Sequence, residues 1–489
     1  MLAEGQPAAG RAPLRVLSIG LLVLTAALAT YTRADADLWG HVRFGLDTLD
    51  TRTLTSVDPY SFTQDKPWVN HEWLSELMMG AAYRVAGASG LVLLKTALLV
   101  LAFALMWNAT AGIAWRVRLT MFVLAVIGTI HITSSLRPQV WTLVCLTLLC
   151  RALAAPDPRA RRWLPLVFLV WANAHGGWIV GLGVLAVWAG VDVLVTRQRF
   201  VYWYLIGLLC AMATMINPYG WHLWRFMFET VGMTRDIAEW GPLWGTPFLN
   251  WLPWFVGVGA ILWIARQPVE HRWSTCAVLA MLAYASARVM RIESLFVTAS
   301  VVLLAPAIRA RWPASQRSVP RAVAMAAGIA LVIAPIGVMA ATRFRSVSCI
   351  EISRGLSLPD VRAMRVLERA QSGRAVTFFD WGQYAIWHLG PRVSVSIDGR
   401  RETVYSNLRL AEAAAIVAGT DEGLDVLNGW QAEYVWLPLG NRKTLTWLAS
   451  HGYRIELETE RSFIAIRGDL PPLVIPPLRE LPVAACFPG

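Results

Sequence analysis

Two carboxylates, Asp35 and Asp37, stand in "ADADLWGHVRF", residues 34–44, directly after the apolar run Leu14 to Tyr31. A carboxylate placed there can serve as general base towards a hydroxyl, or as ligand to a hard divalent metal such as Mg2+ or Mn2+. His41 follows in the same stretch, and Asp58, Asn70, His71 and Glu72 lie further along it. Later links carry Arg137 in "RPQ", Asn173 and His175 in "NAHGG", and Asn217 and Tyr219 in "NPYG". Glu239 and Trp240 stand in "AEWGP", and Arg288 and Arg291 in "RVMR". Arginine suits phosphate because its planar fork donates two hydrogen bonds. The pattern therefore predicts a carboxylate pair for chemistry, with His71 and Glu72 behind it. His41, Arg137, Asn173, His175, Asn217, Tyr219, Glu239, Trp240, Arg288 and Arg291 are the substrate-binding candidates, and Asp35 and Asp37 the candidate metal ligands. Singly, several have plainer readings: "NPYG" is a good turn, "RP" suits a helix start, and Trp240 fits an interface belt.

The elements that must hold these residues are membrane spans. Of 489 residues 56% are hydrophobic and only 16% charged, and the mean hydropathy is +0.48. A soluble chain carries roughly a quarter charged residues. Apolar runs near 14–32, 90–108, 119–134, 138–154, 163–174, 177–195, 201–216, 250–265, 274–289, 292–308 and 321–341 each approach the ~20 residues that cross a bilayer. They predict about eleven spans. The formal charge of +12 falls in short links, including Arg116, Arg118, Arg159, Arg161, Arg162, Arg197, Arg199, Arg309 and Arg311. This is the positive-inside pattern, not a nucleic-acid surface. It sets the N-terminus in the cytoplasm and everything after Thr342 outside. Arg11, Arg15 and "AALAT" also resemble a cleavable signal, but an uncleaved first helix closes the topology.

Four regions follow: a first span over 1–32, an outer loop over 33–89, a bundle of spans over 90–342, and an extracytoplasmic α/β domain over 343–489. Near the end of the loop, Trp73, Leu74, Leu77, Met78, Ala81, Ala82 and Val85 share a helical face, which predicts an interfacial helix. In the last region "AVTFF", "RVSVSI" and "YVWLPL" read as strands, 408–417 and 443–450 as helices, and "YRIELETERSFIAI" as a hairpin. Asp398 in "IDGRRE" reads either as a ligand-binding strand edge or as turn chemistry. Cys349 and Cys486 are the only cysteines of that region and could pair in an oxidising compartment. The span interiors hold almost no acid, which disfavours an ion-coupled transporter. Lys95 is the one candidate for a charge in mid-span, and snorkelling is its ordinary reading.

The motifs "ADADLWGH", "DPYSFT", "KPWVNHEWLSE", "RPQ", "WANAHGG", "NPYG" and "AEW", with "FDWGQYAIW" and "SIDGRRETVY" late in the chain, resemble the GT-C-fold glycosyltransferases, and in particular a large group of bacterial GT-C-like integral membrane proteins. The resemblance covers nearly the whole chain. It implies a multi-pass inner-membrane enzyme that transfers a sugar from a polyprenyl-phosphate donor to a glycan, lipid or protein acceptor of the envelope, outside the membrane. It also implies that Asp35 or Asp37 activates the acceptor or holds a metal, and that Arg288 or Arg291 holds the donor phosphate. The alternatives are a membrane protein that binds or scaffolds lipid-linked glycans without catalysis, and, behind it, a lipid-linked glycan transporter.

Overall fold

Helices account for most of the chain, and a small sheet forms only near its end. The computed structural model describes residues 11–231, 240–314, 321–352, 358–440, 442–475 and 485–489. It divides into two compact units, one of residues 1–32 and 91–348, the other of residues 33–90 and 349–489.

The first unit is helical. Among the described residues of the whole chain, three helices are long and apolar enough to cross a membrane: Trp73–Ala109, Trp178–Thr196 and Ala322–Ala341. A fourth span results if Met290–Leu303 and Ala305–Arg311, bent by 45° at Leu304, are one element. Shorter apolar helices cover Arg15–Thr30, Gln139–Ala154, Phe200–Thr214 and Phe248–Ile264. The chain is thus a multi-pass membrane protein, and the count of eleven is not reproduced, because polar or helix-breaking residues cut several runs. The run 119–134 divides at Thr129 into Trp115–Gly128 and Ile130–Thr133. The runs 163–174 and 177–195 are the separate helices Leu164–Ala174 and Trp178–Thr196, with "HGG" between them as their bounds predict.

Lys95 does not snorkel. It is fully buried, and its ammonium donates to the carbonyls of Tyr31 at 3.3 Å and Thr133 at 3.0 Å. These carbonyls lie just past one helix and at the end of another, where the partial negative charge of helix ends favours a cation.

The second unit holds a five-stranded sheet: β1 (Gly373–Thr377), β2 (Val393–Val395), β3 (Tyr434–Pro438), β4 (Tyr453–Glu458) and β5 (Ser462–Arg467). The order is β2-β1-β3-β5-β4, with β1 parallel to β2 and β3, and β5 antiparallel to β3 and β4. The strands and the hairpin expected from alternation are all present. Helices Asn407–Ala418 and Asp421–Trp430 start on Ser406 and Thr420, whose hydroxyls accept the N–H groups of Arg409 and Gly423. Val376, Leu424, Leu427, Val435 and Phe463 form the core beneath them.

The segment following the first helix belongs to this same unit. The N–H of Val395 donates to the Tyr60 carbonyl at 2.9 Å, and the N–H of Phe62 to the Val395 carbonyl at 3.1 Å. Ser61 thereby prolongs the sheet beyond β2. The N–H of Ala34 donates to the Glu351 carbonyl at 2.9 Å, and a disulfide joins Cys349 to Cys486. Helix Leu38–Thr51 crosses the start of Trp73–Ala109 at Gly45 and Gly80, where any Cβ would collide with the opposite backbone. The buried face of that second helix carries Ser75, Glu76, Met79 and Gly80, while its apolar stripe is half-buried or open, with Val85 86% exposed.

Candidate functional site

Asp35 folds the chain back on itself: its Oδ1 accepts the backbone N–H of Asp37 at 2.9 Å, an Asx turn that launches helix Leu38–Thr51. Asp37 occupies the N-cap position, yet its carboxylate makes no capping hydrogen bond. The side chain is turned elsewhere. A Cβ on Gly399 would overlap Asp37 Oδ1 and stand 3.0 Å from Gln383 Nε2, and a Cβ on Gly40 would overlap Gln383 Oε1. Glycine at both positions is what lets "ADADLWGH", "FDWGQYAIW" and "SIDGRRE" interlock, with Asp37 wedged between them. Asp35 and Asp37 both remain half-buried, so a solute can reach them.

One turn past Asp37, the His41 imidazole meets two glutamates. Its Nδ1 lies 2.9 Å from Glu76 Oε1 and 4.0 Å from Glu72 Oε2. One ligand atom from each of the three residues lies within 4.8 Å of the others. Asn70 supports both acids: its amide donates to Glu76 Oε2, and its Oδ1 accepts the Glu72 N–H at 3.2 Å. His71 Nε2 stands 3.7 Å from Glu72 Oε1. Burial works against a charged His41, but the Glu76 hydrogen bond and the charges of Glu72, Glu76 and Asp37 outweigh it and raise the pKa to about 9. The sequence reading had His41, His71 and Glu72 but not Glu76. Its signal was the spacing in "HEWLSE", which sets Glu72 and Glu76 four apart, one above the other at a helix start.

A second charged cluster lies in the same unit. The Arg400 guanidinium donates to both oxygens of Asp58, at 2.7 and 2.8 Å, and to both oxygens of Asp398, at 2.8 and 2.6 Å. Tyr405 donates to Asp398 Oδ2 at 2.7 Å, and the rings of Phe44, Tyr60 and Trp68 surround the guanidinium at 5.0 to 5.2 Å. Burial opposes the charge on Asp398, yet Arg400 and Tyr405 hold its carboxyl below the usual carboxylate range. Asp398 is 0% exposed, which removes the ligand-edge reading of "IDGRRE", while its Oδ1 accepts the Arg400 N–H at 2.9 Å, the turn chemistry of the other reading. It is half of a buried ion-pair knot that fastens the early segment to the sheet.

The remaining candidates belong to the first unit. Asn173 donates to the carbonyls of Leu169 and Ile216, at 2.8 and 2.9 Å. His175 Nδ1 accepts the Gly177 N–H at 3.0 Å and lies 2.7 Å from the Thr142 hydroxyl, which itself accepts the Trp171 indole N–H at 2.9 Å. That arrangement leaves the proton of neutral His175 on Nε2. Asn217 is a turn residue: its Oδ1 accepts the Tyr219 N–H at 2.7 Å and its amide donates to the Thr214 carbonyl at 2.7 Å. The carbonyl of Arg137 accepts the Val140 N–H at 3.2 Å at the start of helix Gln139–Ala154. The N–H of Met290 donates to the Gly241 carbonyl at 2.9 Å, which brings Trp240 beside the turn holding Arg291, just past Arg288. Glu239 lies outside the described residues. Next to Arg291, Glu293 is fully buried, and neither carboxylate oxygen has a hydrogen-bond partner among the described residues.

No family model matches the chain, and no curated protein matches it in sequence. Solved structures do. The archaeal oligosaccharyltransferase AglB from Archaeoglobus fulgidus, in complex with an inhibitory peptide and a dolichol-phosphate, matches with a TM-score of 0.57 at 11% identity, over 94% of this chain and 75% of that one. ArnT from Cupriavidus metallidurans bound to undecaprenyl phosphate matches with a TM-score of 0.55 at 11% identity, over 94% of this chain and 98% of that one. The Archaeoglobus fulgidus oligosaccharyltransferase tethered to an acceptor peptide gives 0.54 at 11% identity, over 97% and 75%. At this identity the likeness is one of fold, and the fold is the GT-C fold that the motifs led us to expect.

Proposed function

We propose that this chain is a glycosyltransferase that moves a sugar from a polyprenyl-phosphate-linked donor to an envelope acceptor on the extracytoplasmic face of the bacterial inner membrane. The observation that carries the reading is the Asp37 carboxylate, half-buried and set against Gly399 and Gln383 beside Asp35 and His41. The two polyprenyl phosphates bound in the neighbour structures support a donor of that class. The disulfide supports an oxidising compartment for its unit.

In this mechanism the acceptor hydroxyl gives its proton to Asp37 as its oxygen attacks the anomeric carbon. The bond from that carbon to the phosphate oxygen breaks, the pair leaves with polyprenyl phosphate, and the anomeric configuration inverts. Asp35 holds the turn that presents Asp37, and His71 and Glu72 lie behind it. Arg288 and Arg291 bind the donor phosphate as bidentate donors, with Arg137, His175, Tyr219, Glu239 and Trp240 as contacts to sugar or lipid. A bound divalent cation would supply positive charge against the departing phosphate.

Asp37→Asn, purified at full length and assayed with a panel of polyprenyl-phosphate sugars, is expected to lose about 10²- to 10⁴-fold in transfer with an unchanged melting temperature. A wild-type rate would overturn the base assignment. If both Asp35→Asn and Asp37→Asn keep a wild-type envelope glycan profile that deletion of the protein alters, the chain binds lipid-linked glycans without transferring them.

A further inference from the structure

We propose that His41, Glu72 and Glu76 form a binding site for one first-row transition metal ion, Zn2+ or Mn2+, distinct from the Asp35–Asp37 pair. Three observations carry it. The donor atoms come from separate elements, helix Leu38–Thr51 and the start of Trp73–Ala109, and still converge within 4.8 Å. An imidazole nitrogen with two carboxylates is a donor set for zinc or manganese, whereas magnesium and calcium sites are built from oxygen alone. Asn70 grips Glu76 through its amide and the Glu72 backbone through its carbonyl. Such outer hydrogen bonds orient ligating carboxylates.

Charge points the same way. Glu76 is 4% exposed, and its partners among the described residues are His41 and Asn70, with no Lys or Arg. Buried carboxylates are stable when paired with a cation or bound to a metal. Elsewhere in this unit the buried acids Asp58 and Asp398 have Arg400, and Asp360 accepts from Thr459, Ser462 and two backbone N–H groups. Here Glu72 and Glu76 converge on His41, with His71 Nε2 3.7 Å from Glu72 Oε1. Three protein ligands also leave a position open, as in metal sites that bind water or a substrate oxygen and unlike closed four-ligand structural sites. The open ligand would be an oxygen of phosphate or hydroxyl.

The Asp35–Asp37 pair fits a metal less well. Asp35 Oδ1 is committed to the Asp37 N–H, and Asp37 is wedged against Gly399. The inference does not depend on sugar transfer, since a protein that only binds glycans would hold the ion equally.

The test is metal content of the full-length protein, purified in detergent, exposed separately to Zn2+, Mn2+ and Mg2+, and passed through a desalting column. About one Zn2+ or Mn2+ per chain is expected, with Mg2+ not retained. His41→Ala and Glu76→Gln should each weaken retention by about tenfold or more, and Asp35→Asn should leave it unchanged. Glu72→Gln is nearly isosteric and less buried, so it removes a ligand at little cost to folding; a melting scan confirms that each variant is folded. Cobalt substitution adds a reading independent of activity: the visible absorption of the Co2+ form should change when His41 is replaced. Retention lost only in Asp35→Asn or Asp37→Asn would overturn the site. So would no uptake of any of these ions by wild type, which would leave His41 and Glu76 as an ion pair only. Loss of transfer in Asp37→Asn with metal retained would separate this site from the catalytic assignment.

Discussion

The second unit holds two nearly buried clusters of charge built from the same kinds of parts, and they differ in how the charge is closed. In one, Arg400 answers Asp58 and Asp398 with paired hydrogen bonds, Tyr405 takes a remaining carboxylate position, and three aromatic rings seal the guanidinium. In the other, Glu72 and Glu76 converge on an imidazole, supported from outside by Asn70. The first has two acids against a permanent cation of matching fork geometry, and so has no remaining use for a ligand. In the second the acids face imidazoles, which have no fork, and Glu72 lies 4.0 Å from His41 and 3.7 Å from His71. A closed cluster holds a fold together, whereas an open one is built to receive something.

The largest effect should come from breaking the closed cluster. Arg400→Met keeps volume but leaves Asp58 and Asp398 facing each other in the interior without a cation. Removing one partner of a buried ion network costs about 3–5 kcal/mol. The variant should melt well below wild type and yield to limited proteolysis within residues 33–90 or 349–489. A wild-type melting curve would show that the knot contributes nothing. No such loss is expected from Glu72→Gln, which is nearly isosteric and stands at a less buried position.

The next effect bears on the open side of the comparison. Gly399→Ala places a methyl against Asp37 Oδ1 and Gln383 Nε2, both at the ends of side chains that can give way. Stability should fall by no more than about 1–3 kcal/mol. The rate of transfer should fall by about 10²-fold, because a displacement of an ångström at a reacting group costs that much. KM for the donor should hold while kcat falls. Equal loss in a substitution of Gly429, beside whose Cα there is open space, would mean that the effect is not specific to Asp37.

Much of this was readable in order along the chain, and the reason is distance in sequence. Asp35, Asp37 and His41 lie within one turn and the start of one helix, and His71 and Glu72 sit at the start of the next. The strands at 373–377, 393–395 and 434–438 showed themselves by alternation, and the hairpin of β4 and β5 by its two apolar runs. Glu76 was hidden because it sits among Leu74, Leu77 and Met78, where apolar periodicity dominates the reading. The knot was hidden for another reason: Asp58 and Arg400 are 342 residues apart, and no local pattern announces such a pair. The spans failed in the opposite sense. Apolar content alone counted 119–134 and 292–308 as whole runs, although Thr129 and Leu304 interrupt them, since hydropathy averages over residues whose backbone geometry ends a helix.

The smallest expected effects make the sharpest comparison, because each cluster has one supporting group outside its charges. Tyr405→Phe removes a hydroxyl that donates to Asp398 Oδ2 at 2.7 Å and also meets the Ser61 side chain. A hydrogen bond to a charged group is worth about 1.5–3 kcal/mol. The melting temperature should drop, and metal retention should stay at the wild-type level. Asn70→Ala removes the amide that holds Glu76 and the carbonyl that holds the Glu72 backbone. Loss of such an outer partner weakens metal binding by about 10- to 100-fold. Stability without metal should fall by a similar amount, since this amide too is a hydrogen bond to a buried carboxylate. The two variants should therefore separate in a Zn2+ or Mn2+ titration, which Asn70→Ala weakens and Tyr405→Phe leaves alone. If Asn70→Ala leaves the titration unchanged, the two clusters are of one kind, and both serve the fold.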